Sequence, residues 1–560
     1  MSKRDTNAFR LPVTEPPVTL RDTFLWSVAQ VPDCPALLLE ERSWSYAELD
    51  AMARRWAGLL LKASGGTPAR VGVLANRGLT AYVGILASLY AGAAFVPLNR
   101  KFPVVRTRTM LEQAELDAVI VEAEALPQAC EVLSGCTRPV PLLVPDGEGR
   151  SLPEAVMFGP EALASAEPLA TLPAAAPEGG AYLLFTSGSS GQPKGVPITH
   201  ANVLAFLGVN RERYGLTPAD RVSQTFDLTF DLSVFDLFMA WGAGACVVPL
   251  KAIELLAPAE FVRKRGITVW FSVPSVAALC QRQKLLEPGS MPSLRWSLFC
   301  GEALPVTSAE AWQEAAPHSV VENLYGPTEL TIACAAYRWD PARSPAECVQ
   351  GLVPIGQLYE GLTGQVVNEA LVEVEEGEAG ELCVAGPQTF TGYWRAPQLT
   401  QERTFERVGA DGRLLRFYRT GDLVKRMPGG ALVYLGRGDH QIKVGGYRVE
   451  LGEVEAAMRR AGCVDAVALP WPSVAHPEAI LGVATGAVEP KRVLEVIRRL
   501  LPVYMVPRVI AVIEDPPLNA NGKIHRGALQ ERIHELWSQE RRADVLGAKA
   551  PSSLPTRIEL

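Results

Sequence analysis

Much is missing from this 560-residue sequence, and each absence removes a class of function. Its ten cysteines, scattered from Cys34 to Cys463, form no C-x-x-C pair. That argues against a zinc site or a disulfide framework and for reduced thiols in a cytoplasmic protein. With a net charge of −7 and no basic block, neither nucleic acid nor an anionic membrane is a favoured partner. The first residues, MSKRDTNAFRLPVTEPP, lack the apolar core of a secretory signal. The most membrane-like stretch, Ala81 to Leu98, is uncharged but broken by two Tyr and two Gly, and it reads as a buried helix followed by a strand. Only six histidines are present, and no Ser-His-Asp arrangement or acid/base pair stands out among them.

What remains is long enough for two or more domains with sizeable cores. Strand-like runs alternate with amphipathic stretches from Asp22 onward, as in a parallel α/β sheet. Ser45, followed by Glu48 three residues on, is the expected N-cap of a helix from Ser45 to Ala63. The Ala-, Pro- and Glu-rich segment Asp146 to Gly180 reads as a surface excursion.

The stretch Tyr182 to His200, YLLFTSGSSGQPKGVPITH, carries the first chemistry. A short buried strand runs into a loop in which Gly188 and Gly191 let backbone N–H groups converge on an anion. Thr186, Ser187, Ser189 and Ser190 add hydroxyls, and Lys194 adds a mobile positive charge. It fails as a Walker A loop, because Pro193 stands where a Gly should precede the Lys and Gly195 where Ser or Thr should follow it. Further on, Ser223 to Leu250 places Asp227, Asp231 and Asp236 in an otherwise apolar run, where carboxylates are costly unless paired. Asp227 or Asp231 could cap the helix through Phe235 to Trp241, or one of them could face a substrate ammonium. In Asn323-Leu324-Tyr325-Gly326-Pro327-Thr328-Glu329, the Asn can read the exocyclic amine of adenine and Tyr325 can stack on the base. Thr328 can donate to a phosphate, and Glu329 can hold Mg²⁺.

TSGSSGQPKG, FDLSVFD and NLYGPTE occur in the order seen in the adenylate-forming superfamily of acyl-CoA synthetases, luciferases and adenylation domains of nonribosomal peptide synthesis, which this chain resembles from about Asp22 to Ala528. The likeness continues in AGAAFVPLN, with Asn99 where Asp is usual, in GELCVAGPQTFTGYW, in YRTGD and in the final LNANGK. It implies an α/β protein: a large domain of stacked mixed sheets with helices and a β-rich subdomain, then a small mobile α+β domain. The boundaries expected are an arm at 1–21, a large domain at 22–438, a small domain at 439–535 after a hinge at Asp439, and a tail at 536–560. No family block precedes Asp22 and no carrier domain fits after Leu529, so a free-standing enzyme is expected.

The resemblance assigns roles residue by residue. ATP would be held by the phosphate loop, Gly301, Glu302, Asn323 to Gly326 and Thr328, with Asp422 on the ribose hydroxyls and Tyr434 and Arg437 beside them. Lys523 would bridge the substrate carboxylate and the α-phosphate. Lys523, Lys194, Thr328 and Glu329 would act in catalysis, with Glu329 on Mg²⁺. After adenylation the small domain would turn at Asp439 and present Val444-Gly445-Gly446 to an incoming thiol, so that a separate phosphopantetheinylated carrier protein accepts the aminoacyl group.

Asp231 matches the residue that binds the α-amino group in the amino-acid-adenylating branch. Phe230 stands where acyl-CoA synthetases and luciferases often carry His, which disfavours an acyl- or aryl-CoA ligase. A charge pair at about 4 Å is worth roughly 4 kcal/mol at intermediate dielectric, before desolvation. The pocket positions are Asp231, Leu232, Phe235, Phe271, Leu298, Cys300, Leu324, Ile332 and Ala333, apolar apart from the Asp. They suit a small or cyclic aliphatic side chain. The string is similar to those of free-standing prolyl adenylating enzymes of pyrrole synthesis and to D-alanine:carrier ligases. Its aromatic walls favour proline, and Cys300 favours alanine. The alternative from another class is an inactive nucleotide-binding relative, opposed by the intact Lys194, Glu329, Asp422 and Lys523.

Overall fold

The computed structural model describes residues 17–136, 138–147, 156–188, 192–251, 253–409, 412–439, 441–473, 477–485, 488–513, 516–517, 524–545 and 556–557. Ser189, Ser190, Gly191 and Lys523 lie outside the described residues. Two units emerge. The larger takes the described residues up to Arg100 with Thr107–Thr186 and Lys194–Gly438; the smaller takes Lys101–Arg106, Ser187–Pro193 and the chain from Asp439.

Local signals in the sequence become elements of the larger unit in an orderly way. Ser45 caps the helix Tyr46–Ser64, accepting from the Glu48 N–H at 3.2 Å while the Glu48 carboxylate accepts from the Ser45 N–H at 2.7 Å. The uncharged stretch from Ala81 folds as the buried helix Leu79–Tyr90 followed by the strand Ala94–Leu98. Among the described residues no helix is long and apolar enough to cross a membrane. A seven-stranded sheet runs, in spatial order, Met157–Phe158, Leu142–Leu143, Ala118–Val121, Arg70–Leu74, Ala94–Leu98, Gly180–Thr186 and Lys194–Thr199. Its last two strands are antiparallel and pair Thr186 with Lys194 at the edge of the sheet.

A nine-stranded sheet carries the remaining motifs. Its order is Gln357–Leu358, Ala335–Arg338, Val320–Tyr325, Trp296–Phe299, Val269–Ser272, Arg221–Gln224, Cys246–Pro249, Pro35–Leu39 and Arg42–Ser45. The centre is parallel, and its two faces serve different cores because side chains alternate along a strand. Phe271 and Leu298 pair across neighbouring strands and face one core, whereas Trp270, Phe299 and Val321 belong to the other. A third, five-stranded antiparallel sheet is built on the long strand Leu414–Arg426, which pairs with Ala379–Ala385, Thr404–Val408 and Leu432–Arg437.

The smaller unit contains the hairpin Gln441–Val444 and Tyr447–Glu450, turned by Gly445 and Gly446 at φ 56° and 80°. Both values lie in the left-handed region that glycine tolerates. A sheet of Ala466–Pro472, Pro477–Ala484, Val509–Ile513 and Thr556–Arg557 packs with the helices Leu451–Arg460 and Pro490–Leu500. The helix Arg526–Val545 continues past residue 535, where the sequence reading begins a tail. From Ala528 onward its run of Glu, Gln, Arg, Leu and Ala, without Gly or Pro, favours helix. The mixed α/β architecture expected from the sequence is the one found.

Candidate functional site

Asp231 occupies the N-cap position of the helix Leu232–Trp241, yet its side chain makes no capping hydrogen bond. Oδ2 instead accepts from the Ile332 N–H at 3.1 Å, 101 residues away in sequence. The carboxyl is buried and pushed up to about 6, chiefly by desolvation, while hydrogen bonds from Ile332 and the Thr328 side chain oppose the rise and the nearby Glu329 charge adds to it. The capping reading of Asp231 therefore gives way to a carboxylate held beside the Gly-Pro-Thr-Glu turn. Of the other two acids, Asp227 accepts from Thr229 at 2.7 Å and from the Asn99 amide at 2.5 Å. Asp236, wholly buried, lies against the Thr225 and Phe226 N–H groups and is pushed well above the carboxylate range by burial.

The loop that supplies the Ile332 N–H is unusual. Thr331 and Ile332, both β-branched, sit at φ 58° and 73°, a conformation costing on the order of 1–3 kcal/mol each. The buried amide of Gln388 clasps this loop, donating to the carbonyls of Ala333 at 2.7 Å and Leu330 at 3.2 Å, while Thr331 Oγ1 donates back to the Gln388 carbonyl at 2.6 Å. Gly326 permits the close turn beneath it, since a Cβ there would stand 2.5 Å from Ala333 Cα.

The pocket positions converge on one face of the nine-stranded sheet. Phe271 and Leu298 are register partners, Cys300 and Leu324 lie one step further along that same face of their strands, and Phe235 crosses from the helix to meet Phe271 edge-on at 4.8 Å. All of these, with Leu232, Ile332 and Ala333, are buried in one core. Deeper on the same face Glu322 is neutralised by Arg213 and Arg338, each at 2.8 Å.

Glu329 is fully buried. Lys194 Nζ stands 3.5 Å from its Oε1, and the Tyr393 hydroxyl donates to the same oxygen at 2.7 Å. Asp422 is gripped from two sides: Tyr325 donates to one oxygen at 2.5 Å and Arg437 to the other at 2.6 Å. Burial, then the Asp422 charge, drives the Tyr325 phenol well above its ordinary range. Tyr434 lies opposite Val424 on the adjoining strand. Gly301 takes φ 98° after Cys300, and Glu302 accepts from the Ser275 N–H at 2.9 Å.

These groups suit a nucleotide. Asn323 donates its amide to the Pro354 carbonyl at 2.9 Å, which leaves Oδ1 buried with no protein partner among the described residues, an acceptor matched to an exocyclic amine. The Thr186 hydroxyl is likewise buried and unmatched among them. Among the described residues no three His, Cys, Asp or Glu side chains gather as a metal cluster. Glu329 fits the sparse ligation of Mg²⁺, which takes one or two carboxylates and draws its other ligands from phosphates and water.

In the smaller unit Ser187 donates its hydroxyl to the Arg448 carbonyl at 2.8 Å and accepts from the Glu450 N–H at 3.2 Å, and the Gly188 N–H faces a Glu453 oxygen at 3.4 Å. Asp439 accepts from the Gln441 N–H at 3.2 Å. Sequence reasoning did not assign Tyr393, Gln388 or the Asn99–Asp227 pair. Only the block holding Tyr393 and Gln388, and the change at Asn99, drew attention to them.

The AMP-binding enzyme family matches residues 24–394. Tyrocidine synthase 2 of Brevibacillus parabrevis is 32% identical over 524 residues, which cover 92% of this chain but only 14% of that protein. The L-proline--[L-prolyl-carrier protein] ligase of Streptomyces coelicolor is 36% identical over 500 residues, 86% of this chain and 90% of the ligase. Among solved structures, the Vibrio cholerae adenylation domain AlmE, in complex with glycyl-adenosine-5'-phosphate, aligns at TM-score 0.81 with 31% identity, covering 94% of this chain and 99% of that one. IdnL7 aligns at 0.70 with 42% identity, covering 93% and 99%. By its sequence match across residues 24–394, well over half of its length, and by a fold shared with adenylation domains, this chain belongs to the AMP-binding enzyme family.

Proposed function

We propose that the protein is an amino acid:carrier protein ligase that activates a small or cyclic aliphatic amino acid, L-proline first, and passes it to the phosphopantetheine thiol of a separate carrier protein. The observation that carries the reading is Asp231: a buried carboxylate fixed by Ile332 and Thr328, next to Glu329 and among apolar walls. Such a group needs a cation, and an α-ammonium supplies one. The first step joins a substrate carboxylate oxygen to the α-phosphorus of ATP and breaks the bond to the β-phosphate, releasing pyrophosphate. The thiol then takes the acyl carbon and AMP leaves.

In this reading Asp231 orients the amino acid and the walls from Leu232 to Ala333 exclude water and longer side chains. Lys194 and Thr328 meet the phosphates, and Asn323, Tyr325, Asp422, Tyr434 and Arg437 seat the nucleoside. Mg²⁺ on Glu329 would neutralise phosphate charge. Lys523 as the lysine of the adenylation step, and Asp439 as the hinge, rest on their motifs. Support for proline comes from the Streptomyces coelicolor ligase and from the Phe235–Phe271 wall. D-Alanine or L-alanine is the second reading, favoured by the thiol of Cys300 and by the small aminoacyl group in the AlmE complex.

Pyrophosphate exchange into ATP, run separately with L-proline, D-alanine, L-alanine, glycine and acetate, tests this. Exchange should be fastest with L-proline and absent with acetate. Exchange with acetate but with no amino acid would overturn the role given to Asp231.

A further inference from the structure

Glu329, with no exposed surface, is a costly place for a negative charge, and two of its neighbours hold it unequally. The lysine contact at 3.5 Å is long for a hydrogen bond, whereas the tyrosine contact at 2.7 Å is short. Lys194 is also seated on Tyr393 itself, with Nζ 4.9 Å from the ring centroid and 3.5 Å from the hydroxyl. Tyr393 is the fixed vertex of this triangle. Its ring meets Phe390 edge-on at 4.9 Å, its hydroxyl stands 3.4 Å from that of Tyr418, and its backbone N–H donates to Thr400 at 2.9 Å. The same segment ties down the glutamate backbone, since the Phe390 N–H donates to the Glu329 carbonyl at 2.9 Å.

We propose that Tyr393 is a positioning residue that keeps Glu329 in place while Lys194 changes partners from the carboxylate to the nucleotide phosphates. The inference rests on the assignment of Lys194 and Glu329 to Mg²⁺-ATP. A lysine on a four-carbon stem is drawn toward arriving phosphates, and its departure strips the buried carboxylate of a positive neighbour. A phenol does what a second cation could not: it donates a hydrogen bond yet leaves the full negative charge on Glu329 for a metal ion.

Tyr393→Phe separates these roles, keeping the ring that seats Lys194 and deleting the donor to Glu329. ATP binding to the full-length protein is measured by isothermal titration in EDTA and in Mg²⁺, without amino acid. Affinity in EDTA should match wild type, while the gain conferred by Mg²⁺ should shrink roughly tenfold or more, the loss of a hydrogen bond to a charged group. Pyrophosphate exchange should then need more Mg²⁺, with the amino acid KM unchanged. Tyr393→Leu, which removes the seat too, should weaken ATP binding in EDTA as well. A Tyr393→Phe protein with wild-type Mg²⁺ dependence would overturn the proposal. So would one in which EDTA affinity, amino acid KM and melting temperature decline together, since that marks a merely structural role. Wild-type protein that binds Mg²⁺-ATP but exchanges pyrophosphate with no amino acid would refute the proposed substrate class and leave this assignment to the titration.

Discussion

Replacing Asp231 with Asn removes one negative charge and little volume, and its effects on stability and on activity have opposite signs. The folded carboxyl keeps its proton up to about 6, whereas its ordinary value is 3.8. A group raised in this way stabilises the fold fully below pH 3.8, and the contribution is lost as pH rises through 6. At pH 8 the ionised form therefore costs about 3 kcal/mol, at about 1.4 kcal/mol per tenfold. An amide in its place can still accept from the Ile332 N–H and can donate to the Thr328 hydroxyl. Asp231→Asn should melt a few degrees above wild type at pH 8, and the difference should fall to roughly half at pH 5 and vanish as pH drops below 3.8. His200 is pushed down to about 4 by burial in both proteins, so its own titration cancels from the difference. In pyrophosphate exchange the variant should lose up to ~10³-fold in kcat/KM for the amino acid, from roughly 4 kcal/mol for a charge pair at about 4 Å, with the KM for ATP unchanged. Wild-type kcat/KM should fall below about pH 6, and the residual activity of the variant should lack that inflection. A variant less stable than wild type at pH 8, or an offset equal at pH 5 and 8, would refute the electrostatic reasoning.

Two further outcomes follow from the geometry and a third from the motif that holds Lys523. Gln388→Leu removes the donor that clasps the loop of Thr331 and Ile332, so it should raise the amino acid KM and cost about 1–3 kcal/mol of stability while sparing the KM for ATP; an unchanged KM for both substrates would separate that loop from Asp231. Asn99→Asp sets a second carboxylate against Asp227 and should destabilise by about 1–3 kcal/mol at pH 8, with Asp227→Asn restoring stability in the double variant; additive losses would show that the pair is not coupled. Lys523→Ala should abolish adenylation while a pre-formed aminoacyl adenylate still loads the carrier, and equal loss in both assays would contradict the division of labour given to Lys523.

Local signals made much of the fold legible. Ser45 and Glu48 announced a helix start because a capping box is complete within four residues, and the stretch from Ala81 folded as read because its length and glycines fit a helix and a strand. The motif loops suggested roles for the same reason: each packs its chemistry into a few consecutive positions. Contacts that join distant segments were out of reach. Tyr393 meets Lys194 across 199 residues, Asn99 meets Asp227 across 128, and Gln388 reaches Ala333 across 55. Nothing in a lone Tyr or Gln says which partner the fold will bring to it. Asp231 lay between the two cases. Its position at a helix start invited a capping role, and only the Ile332 contact shows that the carboxylate turns elsewhere.

The alternation along the central strands bears on how such an enzyme acquires new preferences. Phe271 and Leu298 look into one core while their chain neighbours Trp270 and Phe299 are locked into the other, where Trp312 meets both rings. A side chain exchanged at Phe271 or Leu298 therefore reshapes one core while the aromatic packing of Trp270, Phe299 and Trp312 in the other is left as it stands.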